Sequence, residues 1–176
     1  MPIEPDTKDW TWVLGRPCPQ CGFDASDYPR TSIGEVVRST AAAWASELDR
    51  PDAAARSRED RWSVLEYACH VRDVFQVFDV RLGLMLTEED PVFADWDQDR
   101  AATEGRYASQ EPATVQSELE DAAAVLARHF DTVVGDQWER TGRRSNGSEF
   151  TVETLGTYMI HDPIHHLWDV SNPPVR

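Results

Sequence analysis

"RWSVLEYACHVRDVFQVFDVRLGLML", residues 61–86, carries the strongest fold signal in the chain. Its apolar residues recur with alternating gaps of four and three, which is the spacing of one face of an amphipathic helix. These residues are Val64, Ala68, Val71, Phe75, Phe78, Leu82 and Met85. Ser63 followed by Glu66 matches a capping box, a pattern typical of a helix start. The segment therefore predicts a long helix with one face in a hydrophobic core.

Three further segments show the same helical spacing. The first covers residues 32–48 and begins with a second capping-box pattern, Ser32 with Glu35. Another begins near Pro112, a residue suited to the first turn of a helix. The last follows Thr151 as N-cap and is apolar on nearly all sides, so we expect it to be the most enclosed helix. The sequence thus predicts an all-α fold, a four-helix bundle.

The connections between these helices differ in length. Residues 87–111 form a long crossing segment with room for one short helix, so we expect two neighbouring helices to run parallel. Asn146-Gly147 predicts a tight turn and a small hairpin before the last helix. We divide the chain into an N-terminal extension with a Cys-x-x-Cys turn (1–30), the bundle (31–170) and a C-terminal tail (171–176).

The charge of the chain restricts its partners. A net charge of −15 would repel nucleic acid and anionic lipid, so we expect neither as a partner. No apolar run is long enough to cross a membrane, and the N-terminal residues lack the pattern of a signal peptide. We expect a cytoplasmic protein with a small-molecule substrate, and leave open a homodimer.

Three histidines are candidate metal ligands. His161 and His165 are four residues apart, so on a continuous helix their imidazoles would lie on one face, a single turn apart. His70 lies at the margin of the apolar face of the helix over 61–86, where a side chain points into a crevice between helices. Together they could form a three-histidine site with a fourth position open to water or substrate. The alternative is a set of hydrogen-bonded polar residues that bind no metal.

Pro163 lies between two of these histidines. A proline inside a helix lacks the amide that would donate to the carbonyl four residues earlier, here Met159. We expect a bent, continuous helix. The alternative is a new helix capped by Asp162 with Pro163 at its first position, which would remove His161 from the face of His165.

Three segments together resemble the DinB/YfiT-like superfamily of four-helix metalloproteins. They are "EYACHVRD" (66–73), the acidic crossing segment, and "HDPIHHLWDV" (161–170), and the resemblance covers about residues 30–170. In that superfamily a histidine of the second helix and a His-x-x-x-His pair of the last helix bind a divalent metal, usually zinc or nickel. The resemblance therefore implies His70, His161 and His165 as the metal ligands.

The resemblance also implies a function. Characterised members include transferases and isomerases that use a low-molecular-weight thiol, mycothiol or bacillithiol. We expect a metal-dependent thiol S-transferase that activates the thiol for attack on an electrophile. Among 17 basic residues only Lys8 is a lysine, which suggests a high-GC bacterial genome and favours mycothiol. The alternatives are a metal-binding or ligand-binding stress-response module without turnover, and a metal-free bundle that acts through association.

Other polar residues near the histidines have two interpretations. Three acids could hold the imidazoles in place, although such residues are more typical of solvated surface acids or caps. They are Asp73, Asp162 and Asp169. His166 would point about 100° away from His165, which favours packing or substrate contact over ligation. His129, on the helix after Pro112, is predicted to be a hydrogen-bonded core histidine.

The cysteines give a weaker signal. Cys18 and Cys21 have the spacing of one zinc knuckle, but no second Cys-x-x-Cys follows. We expect a tight turn with two free thiols, and a redox-active pair and a metal clip are the alternatives. Cys69 is predicted to be a small buried residue.

Overall fold

The computed structural model describes residues 9–172. Its α-helices are α1 (Ile33–Leu48), α2 (Val64–Thr87), α3 (Gln98–Glu104), α4 (Pro112–Asp131) and α5 (Val152–Ser171). Its strands are β1 (Val92–Phe93), β2 (Thr141–Arg144) and β3 (Glu149–Thr151). The four long helices confirm the predicted all-α bundle, and α3 is the short helix expected in the crossing segment.

Contacts along α2 and α4 show that these helices run parallel. Near the start of both, Arg72 of α2 donates a hydrogen bond to Glu118 of α4 at 2.6 Å. Further along both, Asp79 pairs with Nδ1 of His129 at 2.9 Å. The crossing segment therefore returns the chain to the same end of the bundle, which confirms the predicted parallel pair.

The helices α1 and α5 are the second parallel pair. At their starts Ile33 packs directly against Gly156, where no room remains for a larger side chain. Just beyond the end of α1, Arg50 donates to the carbonyl of Val170 near the end of α5, at 3.3 Å.

The helices α2 and α5 run antiparallel, and this pairing positions the site. Phe78, late in α2, lies 6.1 Å from Tyr158, early in α5, between ring centroids. His70, early in α2, reaches Asp162 in the middle of α5. The middle of α5 therefore faces the first turns of α2.

One of the two predicted capping boxes is present. Ser63 and Glu66 exchange backbone and side-chain hydrogen bonds at the start of α2, as predicted. The capping box predicted at Ser32 is wrong, because its hydroxyl donates to the carbonyl of Pro29 at 2.7 Å. The cause is a 3-10 helix over Arg30–Ser32 that leads straight into α1.

The sheet lies between the crossing segment and α5 in sequence. β2 and β3 form the predicted hairpin, and its turn contains Gly147 at φ +97°, a conformation that glycine adopts without strain. Thr151 ends the hairpin and caps α5 through its side chain, as predicted. β1, which was not predicted, pairs parallel with β2.

Pro163 lies inside α5, which continues unbroken to Ser171. This confirms the continuous helix and contradicts a new helix beginning at Pro163. A bend at this residue stays a prediction.

The described part of the N-terminal extension packs against the bundle. Val13, Cys18 and Phe23 are buried in the same hydrophobic core as the helices. The domain boundaries stay predictions, and residues 173–176 of the predicted tail lie outside the described residues. Among residues 9–172, no helix combines the length and the apolar character needed to span a membrane.

Candidate metal centres

Two pairs of metal-ligating side chains lie on α5. His161 and His165 form one pair and Asp162 and His166 the other, each with a spacing of four residues. Because successive residues of a helix are about 100° apart, the two pairs point in different directions. One pair faces the N-terminal extension, and the other faces α2.

The first pair belongs to a group of four potential ligands. Cys18, Cys21, His161 and His165 each offer one ligand atom, and these atoms all lie within 4.8 Å of one another. We call these residues the Cys/His group. Sγ of Cys18 lies 3.6 Å from Nδ1 of His165, and three of the four residues are buried, Cys21 being partly exposed.

Burial sets the protonation of this group. It lowers the pKa of His161 to about 4, with a further contribution from neighbouring His165, so the imidazole is neutral at physiological pH. Burial also raises the pKa of Cys21 to about 11, although the backbone amide of Phe23 acts in the opposite direction. Without a cation, Cys21 is therefore a thiol.

The second pair meets His70. Ligand atoms of His70, Asp162 and His166 also lie within 4.8 Å of one another, and we call these residues the cavity group. Nε2 of His70 is 3.2 Å from Asp162, and Nε2 of His166 is 3.9 Å from the same carboxylate. The other ring nitrogen of His166, Nδ1, lies 3.0 Å from Asp169.

The carboxylates of this region remain ionised. Burial alone would raise the pKa of Asp162, but the adjacent His70 and His166 hold it well below the ordinary value. The pKa of Asp169 is also lowered, since the hydrogen bond from His166 outweighs the effect of burial. Arg61 contributes an ion pair to Asp169 at 2.9 Å.

Aromatic rings enclose both groups. Trp96 stacks on His70 and Trp62 lies on another side of it, each with ring centroids 5.4 Å away. Tyr67 packs against His166 at 4.7 Å. Trp10 contacts both histidines of the Cys/His group, at 5.6 Å and 5.2 Å.

A cavity of about 960 Å³ opens beside the cavity group. Asp162 and His166 line it together with His161 and His165, and Arg81 and Arg144 line it as well. The volume lies at the upper end of the range for small-molecule sites, about 300–1,000 Å³.

The structure divides the predicted set His70, His161 and His165 between the two groups. His161 and His165 are together as the spacing predicted, but His70 lies with Asp162 and His166. The cause is the direction in which each side chain leaves the helix, because the face of α5 that meets α2 carries residues 162 and 166. The same four-residue spacing could have identified this second pair, had an acid been counted as a ligand.

The other sequence predictions have mixed outcomes. Asp162 and Asp169 were interpreted as more typical of surface acids, and the structure instead places both at the histidines. Asp73 lies away from both groups, paired with Arg72 and accepting a hydrogen bond from Tyr107.

Three further predictions concern thiols and a histidine. Cys69 is buried, and His129 is hydrogen-bonded to Asp79, both as predicted, although His129 keeps partial exposure. Cys18 and Cys21 are free thiols in a tight turn, as predicted. Sequence reasoning missed the two histidines that complete their group, because it looked only for a second cysteine pair.

A four-helix bundle with imidazoles and carboxylates of facing helices directed inward is an architecture that holds metal ions in other proteins. The chain belongs to the DinB superfamily, whose family model matches residues 34–170.

The structure is similar to that of YfiT from Bacillus subtilis, described as a probable metal-dependent hydrolase with an unusual four-helix bundle topology. The TM-score is 0.71 at 19% identity, and the match covers 94% of this chain and 97% of YfiT. This likeness shows the fold. No curated protein matches the sequence.

Proposed function

We propose that the protein is a divalent-metal-dependent transferase that uses a low-molecular-weight thiol, with mycothiol favoured. The observation that carries the proposal is the cavity group, three ligands from two helices beside a cavity of about 960 Å³. The proposal keeps His70 as a ligand and replaces the predicted His161 and His165 by Asp162 and His166.

The cavity group fits a divalent metal. Two imidazoles and one carboxylate suit zinc, nickel or iron, and three protein ligands leave positions for a substrate. Oδ1 of Asp162 is buried without a hydrogen-bond partner among the described residues, which is costly unless a cation satisfies it. Asp169 holds one nitrogen of His166, an arrangement typical of metal-bound histidines.

A divalent ion at this position would lower the pKa of a bound thiol and so supply a thiolate at neutral pH. The chain fixes its ligands through two packed helices. Trp62 and Trp96 cover His70 and exclude water from that side of the group. A thiol-dependent reaction of this kind would suit a reducing compartment such as the cytoplasm.

Two arginines of the cavity suggest that one substrate is anionic. Arg81 is only 5% exposed, and the structure gives it no carboxylate partner among the described residues. Burial and nearby Arg144 lower the pKa of Arg81 to about 10. Arg144 reaches Asp95 only at 3.7 Å, and its Nε is buried without a partner.

A buried guanidinium group such as that of Arg81 is costly when it lacks a counter-charge. A carboxylate or phosphate of the substrate, placed between Arg81 and Arg144, would supply one. We therefore propose that the thiol or the electrophile carries such a group.

The experiment is a thiol panel. The protein, purified without a histidine tag and loaded with zinc or nickel, is assayed with chlorodinitrobenzene or monochlorobimane and either mycothiol, bacillithiol or glutathione. We expect metal-dependent conjugation with mycothiol that His70→Ala abolishes. Equal rates with and without metal would contradict the proposal.

The remaining outcomes identify the alternatives. Metal-dependent hydrolysis of an ester or amide without any thiol would favour water as the nucleophile. Tight metal binding with no turnover of either kind would favour the stress-response binding module.

A further inference from the structure

The ligand types of the Cys/His group match one kind of metal site. Two cysteines and two histidines are a common ligand set of structural zinc, which they bind tetrahedrally with no position left for substrate. Here the four ligand atoms lie within 4.8 Å of one another, although the cysteines and histidines come from opposite ends of the chain. The cavity group has a different composition, with no sulfur.

The backbone around the cysteines holds both sulfurs in place. The amide of Gly22 donates to the carbonyl of Cys18 at 3.0 Å, and the amide of Cys18 donates to the carbonyl of Phe23 at 2.8 Å. Gly22 has a φ of +76°, which a residue with a side chain rarely adopts. The amide of Phe23 also interacts with the sulfur of Cys21. This closed turn directs two thiols towards α5.

The two histidines direct ring nitrogen atoms at those thiols. Nδ1 of His165 faces the sulfur of Cys18. The other ring nitrogen, Nε2, lies 3.7 Å from the carboxylate of Asp169, an arrangement typical of metal-bound histidines. His161 is 4% exposed, and its Nε2 has no hydrogen-bond partner among the described residues. A buried, unpartnered imidazole nitrogen in a group with two cysteines is typical of a cation-binding site.

We propose that Cys18, Cys21, His161 and His165 bind a structural zinc ion that fastens the N-terminal extension to α5. Binding breaks the S–H bonds of both thiols, forms two zinc–thiolate bonds and releases the two protons to solvent. Because His161 and His165 directly precede Asp162 and His166, the ion also fixes the part of α5 that carries the cavity group. Zinc at the Cys/His group is thus a positioning element for the second site.

Two other states of the cysteines are chemically distinct from this one. A Cys18–Cys21 disulfide would leave both histidines without a cation, and the structure shows free cysteines. Two free thiols would leave Nε2 of His161 unsatisfied. The experiment below distinguishes both the disulfide and the pair of free thiols from bound zinc.

Cobalt(II) separates the two groups by their donor atoms. Reduced, metal-free full-length protein is titrated with Co²⁺, and thiolate-to-cobalt charge-transfer absorption in the near ultraviolet is followed. We expect one equivalent of Co²⁺ to produce this band with the intensity of two thiolates, together with tetrahedral d–d bands. The band should persist in His70→Ala, because the cavity group contains no sulfur.

The ligand variants are Cys18→Ser and Cys21→Ser, with Cys69→Ala as the matched control, since Cys69 is buried away from the group. Each ligand variant should lose about half of the band or more, and the control should keep it. A second measurement needs no variant, namely thiol titration of the wild type with and without zinc. Zinc should slow the reaction of two of the three thiols by about tenfold or more.

Absence of the charge-transfer band, an unchanged band in Cys21→Ser, or recovery of a Cys18–Cys21 disulfide from the reduced preparation would each overturn the proposal. The proposed transferase is tested separately, because the protein ligands of the cavity group contain no sulfur, so a metal ion bound there gives no charge-transfer band before a thiol substrate is added.

Discussion

The two faces of α5 carry the same spacing of ligands and differ in what surrounds them. His161 and His165 meet two cysteines, so that four protein ligands can complete a tetrahedral site. Asp162 and His166 meet one histidine beside a large cavity, which leaves coordination positions for substrate.

This difference indicates that ligand number and surroundings, and not ligand spacing, separate a structural from a reactive site. Both pairs could be read from the sequence as metal-ligating positions of one helix. Only the partners contributed by distant segments decide which role each pair has.

The largest expected effect comes from replacing adjacent histidines one at a time. His166→Ala should lower turnover by more than about a hundredfold, because it removes a ligand of the cavity group. It should keep the cobalt charge-transfer band. His165→Ala should weaken that band and lower the melting temperature of the zinc-loaded protein by roughly 5 °C or more.

The measurements for this pair are steady-state rates, cobalt spectra and thermal unfolding on the same preparations. If the two variants behaved alike in all three, the division of α5 into two functional faces would be wrong.

Chelation should separate the same two groups in the wild-type protein. Asp162 and His166 line the cavity and are partly exposed, whereas Cys18, His161 and His165 are buried, although the two histidines line the same cavity. A brief EDTA treatment should therefore remove the metal of the cavity group first and abolish activity with little change in melting temperature. Metal analysis and thermal unfolding over time check this order, and loss of both metals in a single step would contradict it.

A smaller effect is expected from replacing an arginine of the cavity, because these arginines line the cavity and belong to neither ligand group. Arg144→Met should raise KM for an anionic substrate by about tenfold, since a charge-assisted hydrogen bond contributes about 1.5–3 kcal/mol. Arg143→Met is the matched control, because the neighbouring Arg143 pairs with Asp90 and does not line the cavity. Equal KM values for both variants would exclude an anion subsite at Arg144.

The sequence was sufficient for the bundle because the helical signals are long. The apolar spacing of α2 runs over its whole length, and the crossing segment was long enough to predict a parallel pair. β1 is only two residues long, too short to show any periodicity, and it forms through pairing with β2 far along the chain.

The sites could be predicted only in part, for a related reason. Helical spacing showed that His161 and His165 lie together, but not which face of α5 meets His70. Cys18 and His165 are 147 residues apart, so their contact depends on the folded chain and leaves no local pattern. The ligand chemistry could have predicted this contact, since a zinc site with one Cys-x-x-Cys pair needs two further ligands and histidines can supply them.

The smallest effect concerns Pro163, which lies within both ligand pairs of α5. Its ring removes the amide that would bond to the carbonyl of Met159, so we expect Pro163→Ala to add one backbone hydrogen bond and straighten the helix. The metal-free variant should gain stability by at most about 3 kcal/mol. Metal ions should bind more weakly, because straightening shifts each ligand relative to its partner one turn away, and ligands must sit within roughly half an ångström of a productive geometry. The cavity group should be affected more than the Cys/His group, since it has three ligands and thus fewer to hold the ion.

Pro112→Ala is the control, because Pro112 occupies the first turn of α4, where no amide is required. Melting temperatures of the metal-free proteins and dissociation constants for zinc test the prediction. Wild-type affinity at both groups in Pro163→Ala would show that the proline has no part in shaping either site.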